Sequence, residues 1–598
     1  KNLMNLSDKI NAILKEYSIG NKKIAYNKFK KIYLHNNKNF KLRFNLAVMQ
    51  QELGFFEEAE SNYKSLITNN SDIKSKINLY NLYINRGLLE EALKLITSIQ
   101  KDKQNFNKVD EDKAYLLFLL KKYDDSIIEC NKILNKNKDS ISALNTLGLC
   151  FLNLKNYNEA SISLVKALGL DSKNIKVLNS LGRLNHEMRK SQDAELYFIK
   201  AHELSPNVFE TLNNIAGFYL EESNYIKAIN FYKKAEKLNP KNSILLNNIA
   251  KTYLCIKKID EAEKYCRNAI SIDQNNDDFK KTLSLVLLKK CDFQNAWLYF
   301  DGRLGLSDFL SKNSTLDLVR HKIAKKKNIK PDKKILVLRE QGLGDEILYG
   351  TMYPDLLKSF ANVIIECDKR LIPLFKNSFT KNDSNKFVNL GTYSKNQNEI
   401  NKFDYVIYAG SLGKYFRNNL YSFPNNAYLK KIDAYEDIEL NKVLKSCNDL
   451  KVGISWKSFK NRYASEKSLV IQDLQNILEI ENSTIFNLQY GDIKNELDAF
   501  LNNNEHKIIS LKKLDLFNNL SGLANLLSNL DFFVTVSNST AHLASALGVR
   551  TILIKPESHA SFHYWDYENG KTPWYKSVKI ISKESLKDKK FIKNLIKL

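Results

Sequence analysis

Two short segments carry residue types that could do chemistry together. The run Val534-Thr535-Val536-Ser537-Asn538-Ser539-Thr540-Ala541-His542 is an apolar stretch that passes into Ser, Asn and Thr and then into the small-residue sequence AHLASALG. A strand that enters a helix this way brings backbone N–H groups, hydroxyls and the positive end of the helix dipole to one point. That point is a seat for an anion, and a diphosphate is its natural occupant. Ser, Asn and Thr are also the preferred caps of any helix, so the segment alone reads equally as an ordinary N-cap. The second segment is Gly342-Leu343-Gly344-Asp345, directly after the apolar run Ile335–Leu338. Its glycines let backbone approach a ligand closely, although the spacing is neither G-x-G-x-x-G nor a Walker A lysine motif. Asp345 is placed either to accept a proton from an incoming hydroxyl or to serve as the first-turn acid of a helix. Lys457, after GISW, can neutralise charge on a departing diphosphate, with Arg462 and Lys467 nearby and Lys467 the weaker candidate. Each of these cations also fits a solvated surface.

The elements that must hold these residues belong to two kinds. From Ile335 onward short apolar runs alternate with helical stretches: KKILVLREQGLGDEILYG, then NVIIECDKRLIPLF, FVNL and FDYVIYAG. A second series follows in LKVGISWKS, STIFNLQYGD, HKIIS and NLDFFVTVSNSTAHLASALGVRTILIKPE. Strand and helix in alternation predict parallel α/β sheets, and two such series predict two Rossmann-like lobes with ligands at the carboxyl ends of the strands. The first half has another grammar. Ala160, Ala194, Ala228, Ala262 and Ala296 stand 34 residues apart, and Gly148, Gly182, Ala216 and Ala250 keep the same period, as do Ala167, Ala201, Ala235 and Ala269. Such ladders in phase resemble the tetratricopeptide repeat (TPR), a helix-turn-helix that stacks into a solenoid with a concave binding surface. Asn213, Asn214, Asn247 and Asn248 fall on first helices of these units, where their amides can meet a ligand backbone. The repeats are equally able to serve as a spacer or a dimerisation arm.

Composition bounds the rest. The chain has 598 residues, 92 Lys+Arg against 67 Asp+Glu and a net charge of +25. Its length predicts several domains, and 43% apolar residues suffice for packed cores. The positive excess is shared almost equally by the two halves, with local clusters at 321–334 and from Lys576 to Lys597. That distribution speaks for a biased composition rather than a nucleic-acid site. Seven cysteines without a CxxC pair suit a reducing compartment. No run of about 18 apolar residues predicts a membrane span, and the first residues hold no secretory signal. The expected location is cytoplasmic, at most peripheral at the inner face of a membrane. His559 and His563 are four apart but lack a third ligand, so no metal site is expected there. Trp565, Trp574 and Tyr575 read as core aromatics before they read as stacking platforms.

GLGDEIL, GISWKS, NLQYGD and VSNSTAHLASALG, followed by HYWDYENGKTPWYKSVKI, resemble in their order a bacterial TPR glycosyltransferase. The second half is similar to the heptosyltransferase family, glycosyltransferase family 9, and the whole layout is similar to the O-linked N-acetylglucosamine transferases. The resemblance implies an α-helical TPR solenoid at 1–310, a basic linker at 311–334 and an α/β GT-B region. In that region 335–445 would be the acceptor-side lobe and 446–598 the donor-side lobe. It implies inverting transfer from a nucleotide-sugar, taken as substrate with no cofactor and no metal, to a protein or glycan acceptor recruited by the solenoid. Asp345 would be the general base beside the Gly342/Gly344 loop. Ser537, Asn538, Ser539, Thr540, His542, Lys457 and Lys467 would hold the donor diphosphate, and Gln489, Tyr490 and Asp492 would lie on the nucleoside side. The heptosyltransferase pattern has an aspartate where this chain has Ser537, which leaves the donor open. It also keeps a second expectation in play: a noncatalytic TPR scaffold with a degenerate nucleotide-binding region.

Overall fold

The computed structural model describes residues 6–597 except 71, 103–106, 312, 326–327, 425, 434, 436–437, 448, 460–466, 503–507, 557–562, 566 and 568–569. The chain divides into two compact units, Lys1–Phe218 and Tyr219–Leu598.

The first unit is built from helix pairs, the predicted TPR architecture. Each pair turns on a residue in the left-handed region. Gly20, Gly54 and Gly87 serve first, then Lys121, Lys155 and Arg189 at φ 60–62°. At Lys155 the turn is a Schellman cap: Asn156 N–H donates to Phe151 O at 2.9 Å and Lys155 N–H to Leu152 O at 3.1 Å. First helices of the pairs start on a side-chain cap, Ser140 before Ile141–Asn153 and Asn174 before Ile175–Glu187, whereas Asn156 before Tyr157–Leu170 makes no side-chain cap bond.

The small-residue ladder has a measurable cause. A Cβ on Gly148 would stand 2.5 Å from Leu164 Cγ, and one on Gly182 would stand 2.6 Å from the Phe198 ring. Leu164 and Phe198 are both fully enclosed, so neither can move aside. Gly182→Ala is therefore expected to destabilise this unit by about 1–3 kcal/mol, read as a lower urea midpoint.

The second unit begins with further helices of the same pattern, Tyr225–Leu238, Ser243–Cys255, Ile259–Ile272, Asp277–Lys289 and Phe293–Phe300. Two all-parallel sheets follow. The first comprises β1 (Ile335–Leu338), β2 (Val363–Cys367), β3 (Phe387–Asn389) and β4 (Tyr405–Tyr408) in the order β3-β2-β1-β4. The second comprises β5 (Leu450–Ser455), β6 (Ser483–Asn487), β7 (Ile508–Ile509), β8 (Phe532–Val536), β9 (Thr551–Lys555) and β10 (Val578–Ser582), ordered β10-β9-β8-β5-β6-β7. Renumbered from β5, that is the doubly wound order, whose ligand crevice opens where the connections reverse direction. The reversal falls between β5 and β8 here and between β1 and β4 in the first sheet. Both crevices are thus framed by the segments that sequence singled out.

Covered on both faces, β1 is apolar throughout and β8 apolar but for Thr535, and neither has an exposed residue. Of the described residues in the basic segment, Ala324 N–H bonds Val406 O of β4 at 3.0 Å and Lys333 pairs with Asp404. The lysine-rich C-terminal helix, Lys589–Lys597, turns Ile592 and Leu595 into the core of the second sheet. Among the described residues no helix is long and apolar enough to cross a membrane.

Candidate functional site

The chain leaves β1 through Arg339 and Glu340, turns at Gln341 with φ 58°, and enters helix Leu343–Gly350 at Gly342. Asp345 is the third residue of that helix. Its Oδ2 accepts the Gly342 N–H at 3.2 Å, and its Oδ1 accepts the Tyr564 hydroxyl at 3.4 Å. One oxygen closes the first turn, as the capping reading expects, and Asp345 also lines a cavity of about 930 Å³. Enclosure pushes the carboxyl from its ordinary 3.8 up to about 6. The Glu340 charge adds to the rise, and the Gly342 N–H, Tyr564 and Lys467 oppose it. Next to it Glu346 is completely buried and raised to about 7 by that burial, with Arg339 3.3 Å away and the Asp368 N–H bonded to it.

The opposite wall begins where β8 ends. Asn538 is the cap of helix Ser539–Ala546; its Oδ1 accepts the Ala541 N–H at 2.9 Å, and its Nδ2 donates to Ser455 Oγ at 2.9 Å. That second bond ties the β8 exit to the β5 exit across the reversal point. Ser537, Ser539 and Thr540 line the cavity, where the first N–H groups of the helix have no intrahelical partner. Ser537 Oγ accepts from Trp565 Nε1 at 3.1 Å. His542 is 3% exposed, hydrogen-bonded through Nδ1 to the Tyr575 hydroxyl at 3.1 Å and surrounded by the rings of Tyr564, Trp565 and Tyr575. Burial pushes it down to about 3, so its imidazole is neutral and adds no positive charge to an anion seat at neutral pH. The two helix starts are in contact: a Cβ on Gly344 would lie 2.9 Å from His542 Cδ2 and 3.5 Å from Ser539 Cα.

The remaining sequence candidates separate. Lys467 stands in the cavity wall and is 4% exposed, whereas Lys457 lies outside it with its ammonium paired to Glu496. Of the two lysines only Lys467 lines the cavity, and Glu496, thirty-nine positions along the chain, takes the charge of Lys457. Arg462 lies outside the described residues. Tyr490 lines the cavity, with Phe459 and Phe517 rings 5.9 and 6.0 Å from its own, and burial raises its phenol. Gln489 does not reach the cavity; its Oε1 accepts Ser455 Oγ, Trp456 N–H and Lys457 N–H at 3.0, 2.8 and 2.6 Å, bracing the end of β5. Asp492 is exposed and stands apart from the cavity wall. Trp565, Trp574 and Tyr575 are buried as core aromatics.

Sequence reasoning missed Arg370. It lines the cavity, forms a forked pair with Asp368 at 2.8–2.9 Å, donates to Phe517 O at 3.1 Å and lies 5.0 Å over the Phe517 ring. Its signal was available in the Asp-Lys-Arg run that follows β2 at the carboxyl edge of the sheet. Among the described residues no cluster of three or more His, Cys, Asp and Glu side chains is placed to hold a metal. His563 is half-buried beside Phe300, and His559 lies outside the described residues.

Known proteins resemble parts of this chain. The tetratricopeptide repeat family model matches residues 141–174, 209–242 and 244–276. Protein FlbA of Caulobacter vibrioides is 27% identical over 263 residues, covering 41% of this chain and 43% of FlbA. The chain therefore spans less than half the length of that relative. A tetratricopeptide repeat protein from Parabacteroides merdae superposes with a TM-score of 0.35 at 19% identity, over 42% of this chain and 98% of that one. A thermophilic TPR protein of Thermus thermophilus superposes with a TM-score of 0.29 at 18% identity, over 31% of this chain and all of that one. Together with the helix pairs, the family match establishes TPR repeats, the architecture of protein-interaction scaffolds.

Proposed function

We propose that this chain is an inverting glycosyltransferase of GT-B type. In this reading it moves a sugar from a nucleotide-sugar donor to a protein or glycan acceptor brought by its repeats. The observation that carries the reading is the contact of two helix starts from two parallel sheets at one cavity. One start bears a carboxyl tuned to about 6 and the other bears hydroxyls and backbone N–H groups. Asp345 takes the proton of the acceptor hydroxyl as that oxygen bonds to the anomeric carbon. The bond from that carbon to the diphosphate breaks, and its electron pair leaves with the phosphate oxygen. The start of helix Ser539–Ala546 and Lys467 meet the charge that develops on the leaving group. The ring wall of Tyr490, Phe459 and Phe517, at the carboxyl side of β5 to β7, suits the flat base of the nucleotide.

Incubation with UDP-glucose, UDP-N-acetylglucosamine, GDP-mannose and ADP-glucose, with release of nucleoside diphosphate as readout, tests the reading. Release by the wild-type chain and its loss in Asp345→Asn are expected; equal release by both would overturn the base assignment. The two lysines give a sharper check on the diphosphate seat. Lys467→Met is expected to weaken nucleoside diphosphate binding by about tenfold or more in calorimetry, because it removes a charge-assisted contact. Lys457→Met, whose ammonium is held by Glu496, is expected to leave that affinity within about twofold.

The second reading is a scaffold whose sheets hold a nucleotide without turnover. It is favoured by the engagement of Ser537, the position of the family aspartate, with the Trp565 indole. Nucleotide binding without release from any of the four donors would support it.

A further inference from the structure

Arg303 sits in the turn Asp301–Gly305 after helix Phe293–Phe300, where the helical repeats end. It is 4% exposed, and its guanidinium grips Glu340, itself 1% exposed, through two bonds of 2.7 Å. Parallel bonds of this kind fix orientation as well as charge. The same guanidinium donates to Phe300 O and Ser411 Oγ at 3.0 and 2.9 Å. Glu340 is the residue through which β1 passes into the glycine turn, five positions before Asp345, and it also accepts the Gly410 N–H. The packing around the pair is tight. A Cβ on Gly410 would lie 2.6 Å from Glu340 Oε1, 3.0 Å from Arg303 Nη2 and 3.1 Å from the Tyr349 ring. Tyr349 stands one turn beyond Asp345 on the same helix. From the same end of the repeats, the Phe300 ring meets His563 at 6.3 Å, the neighbour of the tyrosine that bonds Asp345.

We infer that Arg303 and Glu340 are positioning residues for Asp345: the end of the helical repeats, through this buried pair, fixes the turn that carries the carboxyl and sets the charge it feels. The inference rests on the reading of Asp345 as the base. The groups that face this carboxyl are Glu340 from the β1 exit, Tyr349 on its own helix, Tyr564 and Tyr575 from the aromatic turns, Lys467 from the cavity wall, and His542 across Gly344. Of these, Glu340 and Lys467 carry the charges. Removing the Glu340 charge takes away the negative charge that raises the carboxyl, leaves Arg303 paired with Asp301 at 3.1 Å, and favours the ionised carboxyl. Removing the Arg303 charge leaves Glu340 unneutralised and favours the protonated one.

Difference infrared spectra of the full chain against Asp345→Asn isolate the protonated-carboxyl band of Asp345, whose midpoint is followed across about pH 4 to 8. The wild-type midpoint is expected near about 6. Glu340→Gln should lower it by about half a pH unit or more, and Arg303→Met should raise it by a similar amount. Arg303→Lys, which keeps the charge, should leave it near the wild-type value. A general loosening of the fold would not move the two charge variants in opposite directions. If Arg303→Met does not fold, Glu340→Gln and Arg303→Lys decide. Midpoints that stay in place, or that move the same way in both charge variants, overturn the inference. Opposite shifts in a chain whose Asp345→Asn variant still releases nucleoside diphosphate from the four sugar donors would sink the base reading instead and leave the positioning of the carboxyl standing.

Discussion

Asp345→Asn is expected to lower sugar transfer by about 10²–10⁴-fold while making the second unit more stable at neutral pH. Both halves of that result come from one fact. The carboxyl is held at about 6 rather than at its ordinary 3.8, chiefly because the cavity walls remove it from water. A base must be ionised, so transfer should fall on the acid side with a limb near pH 6, and that limb should vanish with the residual rate of the variant. The stability follows from linkage. A carboxyl raised on folding binds a proton more tightly in the folded chain than in the unfolded one. Its contribution is therefore most favourable below about pH 4 and is lost as pH rises through 6. At pH 7 the ionised group costs up to about 3 kcal/mol, which the isosteric amide does not. A urea midpoint that rises in Asp345→Asn while transfer collapses marks a residue kept for chemistry. A midpoint that falls would mark Asp345 as a structural cap.

The parts legible in sequence are those whose partners lie close along the chain. The ladder through Gly148 and Gly182 could be read because each of these glycines answers a large residue sixteen positions later, Gly148 to Leu164 and Gly182 to Phe198. The strand-to-helix segments at Gly342 and Asn538 were legible for the same reason, since a cap and the turn it closes are neighbours. Side chains committed by distant partners were not. Lys457 looked like the diphosphate cation until Glu496 claimed its ammonium, and Gln489 looked like a nucleoside contact until the β5 exit claimed its carbonyl. Arg303 carried no signal at all, because its partner Glu340 is thirty-seven residues away across a change of architecture. Local pattern thus located the two walls of the cavity, and long-range pairing chose which side chains face into it.

Gly344→Ala is expected to abolish nucleotide-sugar turnover while leaving the helical repeats folded. A single methyl group there would come 2.9 Å from His542 Cδ2, with Ser539 Cα only 3.5 Å away. Relief by a rotation of the imidazole is blocked, since Nδ1 is hydrogen-bonded to Tyr575 and the Tyr564, Trp565 and Tyr575 rings enclose the side chain. The remaining response is for helix Leu343–Gly350 to back away from helix Ser539–Ala546. That motion draws Asp345 off Tyr564 and away from the diphosphate seat at once. A displacement of about 1 Å between reacting groups costs on the order of 10²-fold in rate, and overpacking of this kind costs about 1–3 kcal/mol in stability. Leu343→Ala, one position earlier and in the cavity wall, removes volume without forcing the helices apart. It should retain substantially more turnover than Gly344→Ala. Equal losses in the two variants would show that the contact between the helix starts does not set the geometry of the site. A loss confined to Gly344→Ala, with near-wild-type circular dichroism of the helices, would locate the effect in that contact.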